Sequence, residues 1–253
     1  LSEPILLIQR NGREIPIDDS VAPIFYSQNE IQGSVLVFRD ITQQKMNTEK
    51  LQYQAFHDPL TGLLNRHGFM KRLQEADNHH LINPDFTFAI FFLDLDRFKV
   101  TNDSLGHQVG DQLLWIIAIK LIQSVRSIDA VARFGGDEFA ILLENLHDLN
   151  EIYHIAQRIR QEIIKPIYIN EHKIFTNVSI GIVLSSMGYN KVDDLIRDAD
   201  IAMYRAKAKG KARHEVFDLN IHSQTLSILQ LETDLRQAIY GRIQIGNPQR
   251  SES

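Results

Sequence analysis

An unbroken apolar run over 88–93 ends at Asp94-Leu95-Asp96. A run of this kind is typical of a central strand that is buried on both faces of a sheet. Two shorter apolar runs, 130–132 and 140–143, flank the pair Gly135-Gly136. Two strand-like runs separated by two glycines predict a β-hairpin whose tip adopts positive φ. The hydrophobic pattern therefore predicts a sheet in which a buried strand and a hairpin take part.

Apolar residues recur at helical spacing in three later segments, and two further strands complete the pattern. The predicted helices run from Val109 to Val125, over 149–165 and from Val192 to Lys207, and the predicted strands cover 173–185 and 214–218. The order strand, helix, hairpin, helix, strand, helix, strand predicts an α/β (α+β) fold. We expect a palm-like, ferredoxin-type central sheet with flanking helices.

The first 46 residues have a different pattern. Strands are predicted over 5–10, 15–18, 21–25 and 33–39, with Asn11-Gly12 as a hairpin turn. A helix follows towards Phe56, with Asp40 or Thr42 as its N-cap. Beyond the sheet, one more helix is predicted over 219–240, followed by a disordered tail over 246–253.

Composition excludes several classes of function. The net charge of −5 argues against a nucleic-acid-binding protein that is held by phosphate contacts. The chain has no cysteine, which fits a reducing compartment and a cytoplasmic location. No apolar run approaches the length of a membrane span, and no signal peptide is apparent. Because the chain begins at Leu1 in the middle of a pattern, we expect a piece of a longer protein, whose attachment to a membrane is left open.

Carboxylates concentrate where the predicted strands end. Asp94 and Asp96 lie on one side of the buried strand, and Asp137 and Glu138 follow the glycine tip. A carboxylate at a buried strand end needs a partner, and a divalent metal is one suitable partner. The alternatives are a solvated hairpin tip and a buried aspartate that anchors a loop, the second fitting Asp96 better than Asp94.

Asn102 and Asp111 form a pair that suits guanine. An ionised aspartate accepts two hydrogen bonds and an asparagine amide both donates and accepts, which matches the N1–H, N2 amine and O6 of guanine. Adenine has the opposite pattern at that edge. Either residue can instead cap a helix.

The string Arg133-Phe-Gly-Gly-Asp-Glu-Phe139 resembles the signature of GGDEF domains, the diguanylate cyclases that join two GTP into cyclic di-GMP. The resemblance covers residues 55–218 and includes the motif over 58–66, Asp-Pro-Leu-Thr-Gly-Leu-Leu-Asn-Arg. Residues 1–42 end in Asp40-Ile41-Thr42 and resemble the end of a PAS sensor domain, with a β-meander that only caps the next domain as the alternative. Residues 43–57 resemble a signalling helix, and 58–218 the cyclase domain. Residues 219–253 resemble the start of an EAL phosphodiesterase domain that is otherwise missing.

The resemblance implies a set of site residues. The ligands of Mg²⁺ or Mn²⁺ are expected to be Asp94, Leu95 (through its carbonyl), Asp137 and Glu138. The residues expected to take part in catalysis are Gly135, Gly136, Asp137 and Glu138. Substrate binding falls to Asn102, Asp111, the turn Arg97-Phe98-Lys99, Lys207 and Lys211. Lys211 stands where arginine is usual and Ala212 where asparagine is usual, so we expect weaker GTP binding, since lysine keeps the charge but lacks the guanidinium fork.

The resemblance also implies regulation and assembly. Arg126 and Asp129 match the inhibitory site at which many diguanylate cyclases bind their product, although a surface ion pair of little energetic consequence is the alternative. Catalysis is expected in a homodimer, with GTP as substrate and cyclic di-GMP as product and inhibitor. A second functional hypothesis is a non-catalytic module that binds GTP or cyclic di-GMP and regulates a partner domain.

Overall fold

The computed structural model of the chain describes residues 5–27, 30–146, 148–189 and 191–218. The chain divides into two compact units, Leu1–His57 and Asp58–Ser253. The predicted helix over 219–240 and the predicted tail over 246–253 lie outside the described residues. Within those residues, no helix is both long enough and apolar enough to cross a membrane.

The first unit is an antiparallel sheet followed by a helix. Its elements are β1 (Ile5–Ile8), β2 (Glu14–Ser27), β3 (Glu30–Asp40) and α1 (Thr42–Phe56), with β2 between the other two strands. The predicted turn lies between β1 and β2, and Gly12 there has a φ of 82°. Ile41 occupies the N-cap position, so neither Asp40 nor Thr42 is the N-cap residue itself. Asp40 still supplies a capping interaction from one residue earlier, since its carboxylate accepts from the N–H of Thr42, the first residue of α1.

The second unit contains a five-stranded sheet and five helices among its described residues. Its elements are α2 (Arg66–Ile82), β4 (Phe88–Asp96), α3 (Phe98–Leu105), α4 (His107–Gln123), β5 (Ala130–Gly135), β6 (Glu138–Glu144), α5 (Leu149–Ile163), β7 (Ile167–Ile169), β8 (His172–Ile174), β9 (Asn177–Leu184), α6 (Val192–Ala208) and β10 (His214–Val216).

The strand order β10-β9-β4-β6-β5 places the buried strand β4 at the centre of the sheet. β4 pairs antiparallel with β6 and β9, and only the edge strand β10 runs parallel to its neighbour β9. The predicted mixed fold with a central sheet and flanking helices is confirmed. The prediction missed α3, and it merged β8 and β9 into one strand although residues 175–176 separate them and β8 pairs with β7 in a separate hairpin.

Side chains of β4 alternate between two cores. Ala89, Phe91 and Leu93 pack with α4 and α5, whereas Ile90 and Phe92 pack with α2 and α6. Every residue of β4 is buried, as the continuous apolar run predicted. Because Asp94 and Asp96 continue the second alternation, their side chains emerge on the α2 and α6 face, at the carboxyl end of the strand.

Candidate active site

Two carboxylates meet across neighbouring strands at the end of the sheet. In the antiparallel register, Asp94 of β4 lies directly opposite Glu138 of β6. The backbone N–H of Leu95 donates to the carbonyl of Asp137 at 3.2 Å, which ties the end of β4 to the hairpin. Directly opposed residues have Cβ atoms about 4.5–5.5 Å apart. The register therefore brings together acids that are far apart in sequence.

Lys207 of α6 lies beside this acidic pair. Its Nζ is 2.6 Å from Oδ2 of Asp94. Burial raises the pKa of Asp94, the hydrogen bond from Lys207 opposes that rise, and the negative charge of Asp137 adds to it. The contact with Lys207 thus does not fully offset the burial and the negative charges that act on the Asp94 carboxylate.

Glu138 is more isolated than Asp94. Burial raises the pKa of Glu138, and the charges of Asp200, Asp94 and Asp137 raise it further, against a smaller opposing effect of Lys207. Sequence reasoning missed Asp200, which is seven residues before Lys207 on α6 and whose pKa is also raised by burial. The signal was available, because residues seven apart share a face of a helix.

The residues present fit a hard divalent cation. Carboxylates and a backbone carbonyl are the oxygen donors that Mg²⁺ and Mn²⁺ take, and a cation between Asp94 and Glu138 would relieve the repulsion that raises both pKa values. Among the described residues, no three acidic or histidine side chains are already grouped as a metal site. Of the ligands that the resemblance implies, which are Asp94, the Leu95 carbonyl, Asp137 and Glu138, the register sets Asp94 and Glu138 opposite each other.

The glycine tip of the hairpin is held by an arginine that sequence reasoning did not select. Gly135 and Gly136 have φ values of 152° and 50°, as predicted for a tip that needs positive φ. Arg133 donates to the carbonyl of Gly136 through Nε at 3.0 Å and Nη2 at 2.9 Å. Its Nη1 donates to both oxygens of the Asp58 carboxylate at 3.1 Å. One guanidinium thus connects the signature hairpin to the motif over 58–66.

Asp58 is also fixed within its own motif. Its Oδ1 accepts from the backbone N–H of Thr61 at 2.9 Å and from the Thr61 hydroxyl at 2.6 Å. Burial alone would raise the pKa of Asp58, but the hydrogen bonds from Thr61 and Arg133 outweigh it and lower the pKa. The motif that had no chemical role at the level of sequence therefore positions the hairpin tip.

Asp96 anchors the turn that follows α6. Its Oδ1 accepts from the hydroxyl of Ser179 at 2.8 Å and its Oδ2 from the N–H of Ala212 at 2.9 Å. Lys211 and Ala212 both have positive φ, 63° and 50°. This is the loop-anchoring arrangement that we considered for Asp96, and it holds the turn that carries Lys211.

The turn Arg97-Phe98-Lys99 leads from β4 into α3. Arg97 is the N-cap of this helix and adopts the left-handed region, with φ 63° and ψ 22°. Its carbonyl accepts from the N–H of Val100 at 2.9 Å, and Phe98 is buried while Arg97 and Lys99 are exposed. The turn is therefore fixed by its backbone, and both basic side chains are free to meet a ligand.

Asn102 and Asp111 lie on two adjoining helices. Asn102 is on α3, Asp111 is on the first turns of α4, and Gly110 beside it lets α4 approach the Asn102 side chain closely. Oδ1 of Asn102 is buried and has no hydrogen-bond partner among the described residues. A buried amide oxygen without a partner is costly, and a ligand N–H would satisfy it.

Gly110→Ala is expected to lower the affinity for GTP by about tenfold without unfolding the domain. A Cβ at this position would overlap Oδ1 of Asn102 and lie 3.0 Å from its Cγ, so the amide must turn away. Alanine favours a helix over glycine by about 1 kcal/mol, which offsets the local strain. Equilibrium titration with GTP checks the affinity, and a thermal melt checks the fold.

Gln108→Ala, at an exposed position of the same helix, is the matched control and should bind GTP like the parent. If Gly110→Ala bound GTP as tightly as the parent, Asn102 would not contact the base.

Arg126 and Asp129 are not a surface ion pair, because the side chain of Asp129 is fully buried. Its carboxylate accepts from the backbone N–H of Arg126 at 2.8 Å, from that of Glu144 at 3.2 Å, and from the Arg126 guanidinium. Arg126 also donates to Glu151 at 2.9 Å. The hydrogen bonds that the guanidinium donates to Asp129 raise the pKa of Arg126, burial opposes this rise, and the charges of Asp129 and Glu151 add to it.

The sheet order and the acidic pair beside a glycine tip define a nucleotide-cyclase-like α+β domain. A family profile described as "Diguanylate cyclase, GGDEF domain" matches residues 55–213. The chain belongs to this GGDEF family. It is 36% identical over 222 residues to the bifunctional diguanylate cyclase/cyclic di-GMP phosphodiesterase MucR of Pseudomonas aeruginosa, covering 88% of this chain and 32% of MucR.

Solved structures agree with this assignment. The GGDEF domain of TpbB (YfiN) from Pseudomonas aeruginosa has a TM-score of 0.64 at 38% identity and covers 69% of this chain and 99% of that one. The coiled coil and GGDEF domain of DgcB from Caulobacter crescentus, in complex with c-di-GMP, has a TM-score of 0.64 at 26% identity and covers 70% and 93%. The chain spans only 23% to 32% of the length of four curated relatives it matches, and two of these are named cyclic di-GMP phosphodiesterases.

Proposed function

We propose that this chain is a diguanylate cyclase that condenses two GTP into cyclic di-GMP and releases two pyrophosphates. The observation that carries the proposal is the register that sets Asp94 opposite Glu138, with Lys207 in contact with Asp94. Two crowded carboxylates beside a lysine can hold a divalent cation and a phosphate together. The glycine tip next to them leaves room for the nucleotide.

Different residues bind the base, the phosphates and the metal ion of one GTP. Asn102 and Asp111 read the guanine edge, and the backbone of the turn over 97–99 together with Lys207 and Lys211 holds the phosphates. Asp94, Asp137 and Glu138 hold Mg²⁺ or Mn²⁺, which when bound polarises the α-phosphate and favours ionisation of the attacking 3′-hydroxyl. Arg133 keeps the hairpin tip in place through the Gly136 carbonyl.

A homodimer completes the reaction. One domain carries a single set of guanine-reading residues, so each subunit presents one GTP, and the 3′-hydroxyl of each attacks the α-phosphate of the other. The two attacks form two phosphodiester bonds and release two pyrophosphates, which closes the ring.

We assign residues 1–42 to the end of a PAS sensor domain and residues 43–57 to its signalling helix. The segment after 218 we assign to the start of an EAL-type region, and the protein to the cytoplasm.

The decisive experiment is incubation of the purified chain with GTP and Mg²⁺ while cyclic di-GMP and pyrophosphate are followed, with Asp137→Ala alongside. Product from the parent and not from the variant would support the cyclase and its metal ligand together. GTP binding without turnover, in a protein that ultracentrifugation shows to be dimeric, would overturn the cyclase.

A second candidate is a regulatory module that binds GTP or cyclic di-GMP without catalysis. Two departures at the phosphate end favour it, Lys211 and Ala212, and so do the relatives that are named phosphodiesterases. The intact Gly-Gly-Asp-Glu string favours the enzyme instead. The turnover experiment separates the two.

Product inhibition through Arg126 is a further part of the proposal. To bind O6 and N7 of a guanine, the Arg126 guanidinium must give up its bond to Glu151 and rearrange those to Asp129 and to the Glu144 carbonyl. Arg126→Lys is expected to weaken binding of cyclic di-GMP outside the active site by at least about tenfold, because lysine keeps a cation near Asp129 but has no fork. Calorimetry with cyclic di-GMP measures this.

Glu151→Gln is the matched control, because it removes the competing acid and keeps Arg126. This variant should bind the product at least as tightly as the parent. Equal product affinity in Arg126→Lys and the parent would remove Arg126 from the inhibitory site.

A further inference from the structure

A cavity of about 520 Å³ opens at the carboxyl end of β4, next to the turn after α6. Arg97 and Thr101 line it on the side of α3, and Asn177 and Lys211 line it on the opposite side. Of the two lysines assigned to the phosphates, Lys207 contacts Asp94 and Lys211 lines the cavity. The cavity therefore includes one of these lysines together with Arg97, the first residue of the turn over 97–99.

The charge of this cavity is positive. Arg97 and Lys211 are exposed, and neither side chain has a hydrogen bond or an ion pair to any described residue. Asp96 also lines the cavity, but its two oxygens already accept from Ser179 and from the Ala212 N–H. The carboxylate of Asp96 is still charged, so the lining carries a net charge of +1, from two cations that form no ion pair with a described residue and one acid. Two unpaired cations on one cavity suit a multiply charged anion.

Lys211 supplies a positive charge to a phosphate but cannot bind it through two parallel hydrogen bonds. An ammonium group is a point charge, whereas a guanidinium forms two parallel hydrogen bonds to a phosphate. Arg97 faces the same cavity from the β4–α3 turn and carries that fork. The turn is held by hydrogen bonds from the N–H groups of Val100 and Thr101 to the Arg97 carbonyl, so the position of Cα does not depend on the side chain.

We propose that the guanidinium of Arg97 binds the γ-phosphate of GTP and supplies the bidentate contact that Lys211 lacks. This assignment rests on the proposed function, and it adds a side-chain role to a turn that was assigned through its backbone. It also gives the site a reason to prefer a nucleoside triphosphate over a diphosphate. In this chain the guanidinium that binds the phosphate comes from the start of α3, whereas the resemblance places an arginine in the turn after α6.

Binding of two guanine nucleotides tests the assignment. The first is 3′-deoxy-GTP, which lacks the attacking hydroxyl and is not consumed, and the second is GDP, both with Mg²⁺. Arg97→Ala is expected to weaken the triphosphate by about 10- to 100-fold and GDP by less than about twofold. Arg97→Lys should fall between the parent and Arg97→Ala for the triphosphate, because it keeps the charge alone.

A rescue variant makes the test specific. In Arg97→Ala/Lys211→Arg the fork returns from the other wall of the cavity, and the affinity for 3′-deoxy-GTP should recover by about tenfold or more over Arg97→Ala. Lys173→Ala is the control for general charge, since Lys173 lies 5.3 Å from the ring of Phe175, a residue of the cavity wall, without lining the cavity itself. It should bind both nucleotides as the parent does.

Several results would overturn the assignment. These are an equal loss for GDP and the triphosphate, an equal loss in Lys173→Ala, or no loss in Arg97→Ala. Failure of the parent to bind either nucleotide would overturn this inference and the proposed function together. Selective loss of the triphosphate in Arg97→Ala, in a protein that makes no cyclic di-GMP, would support Arg97 and overturn only the cyclase.

Discussion

Glu138→Gln is expected to lower cyclic di-GMP synthesis by about a thousandfold or more and, at the same time, to raise the melting temperature of the metal-free protein. Loss of synthesis follows from removing a carboxylate that faces Asp94 across the strand pair. The gain in stability follows because the ionised Glu138 is partly buried and is repelled by Asp200, Asp94 and Asp137. Glutamine has a similar shape without the charge, so the repulsion disappears.

The effect on stability has a defined pH dependence. The pKa of Glu138 is raised above its ordinary value of 4.5, so the folded state disfavours the ionised form. The wild-type carboxylate therefore lowers the free energy of unfolding at pH values above its raised pKa, and this cost disappears as the pH falls towards 4.5. The advantage of Glu138→Gln should be full at neutral pH and lost in acid. Thermal melts in EDTA at several pH values measure it.

Glu144→Gln is the matched control at the other end of β6. Burial also raises the pKa of Glu144, but this residue pairs with Arg72 and lies opposite Phe88, far along the strand from Asp94. The control should keep cyclic di-GMP synthesis within about twofold of the parent. Wild-type synthesis in Glu138→Gln, or a lower melting temperature in EDTA, would contradict the assignment of Glu138.

Gly181→Ala is expected to destabilise the domain by about 3 kcal/mol or more and to abolish synthesis. A Cβ at Gly181 of β9 would overlap the carbonyl of Ala199 and the N–H nitrogen of Met203, and it would lie 2.9 Å from the carbonyl carbon of Ala202. These are backbone atoms of α6, so no side-chain rotation relieves the overlap. The helix must move away from the sheet, and it carries Lys207 with it.

Denaturation in urea measures the loss as a lower midpoint, and the synthesis assay reports on Lys207. Gly110→Ala provides the comparison, because its new Cβ overlaps the end of one side chain instead of a helix backbone. We therefore expect Gly110→Ala to retain the fold and lose affinity, and Gly181→Ala to lose both. A midpoint for Gly181→Ala equal to that of the parent would show that β9 and α6 are not in the contact described.

Local pattern was enough to predict much of the sheet and its helices. The run over 88–93, the Gly135-Gly136 tip and the apolar face over 192–207 each predict one element, because burial and backbone conformation act on neighbouring residues. Some of the shortest elements were not predicted as separate elements, because a local pattern needs more residues than they contain. α3 spans eight residues, and β7 and β8 span three each, too few for a periodicity to emerge.

Contacts between distant residues could not be predicted in this way. Asp58 and Arg133 are 75 positions apart, and neither belongs to a pattern that points to the other. The pairing of Asp94 with Glu138 depends on the register of β4 with β6, which the hydrophobic faces and the hairpin set only once the sheet has formed. Asp200 joins the acidic group because α6 lies across the sheet at that point.

By itself, then, the sequence determined the class of fold, the family and the chemical types available, namely carboxylates, lysines, an asparagine and aspartate pair, and a glycine tip. Tertiary structure alone decided that Asp96 anchors a turn, that Asp129 is fully buried, and that the side chains of Arg97 and Lys211 face the same cavity. The physical reason is that residue type and spacing act locally. Burial, pKa and ion pairing depend on which distant backbone lies next to a side chain, and packing settles that.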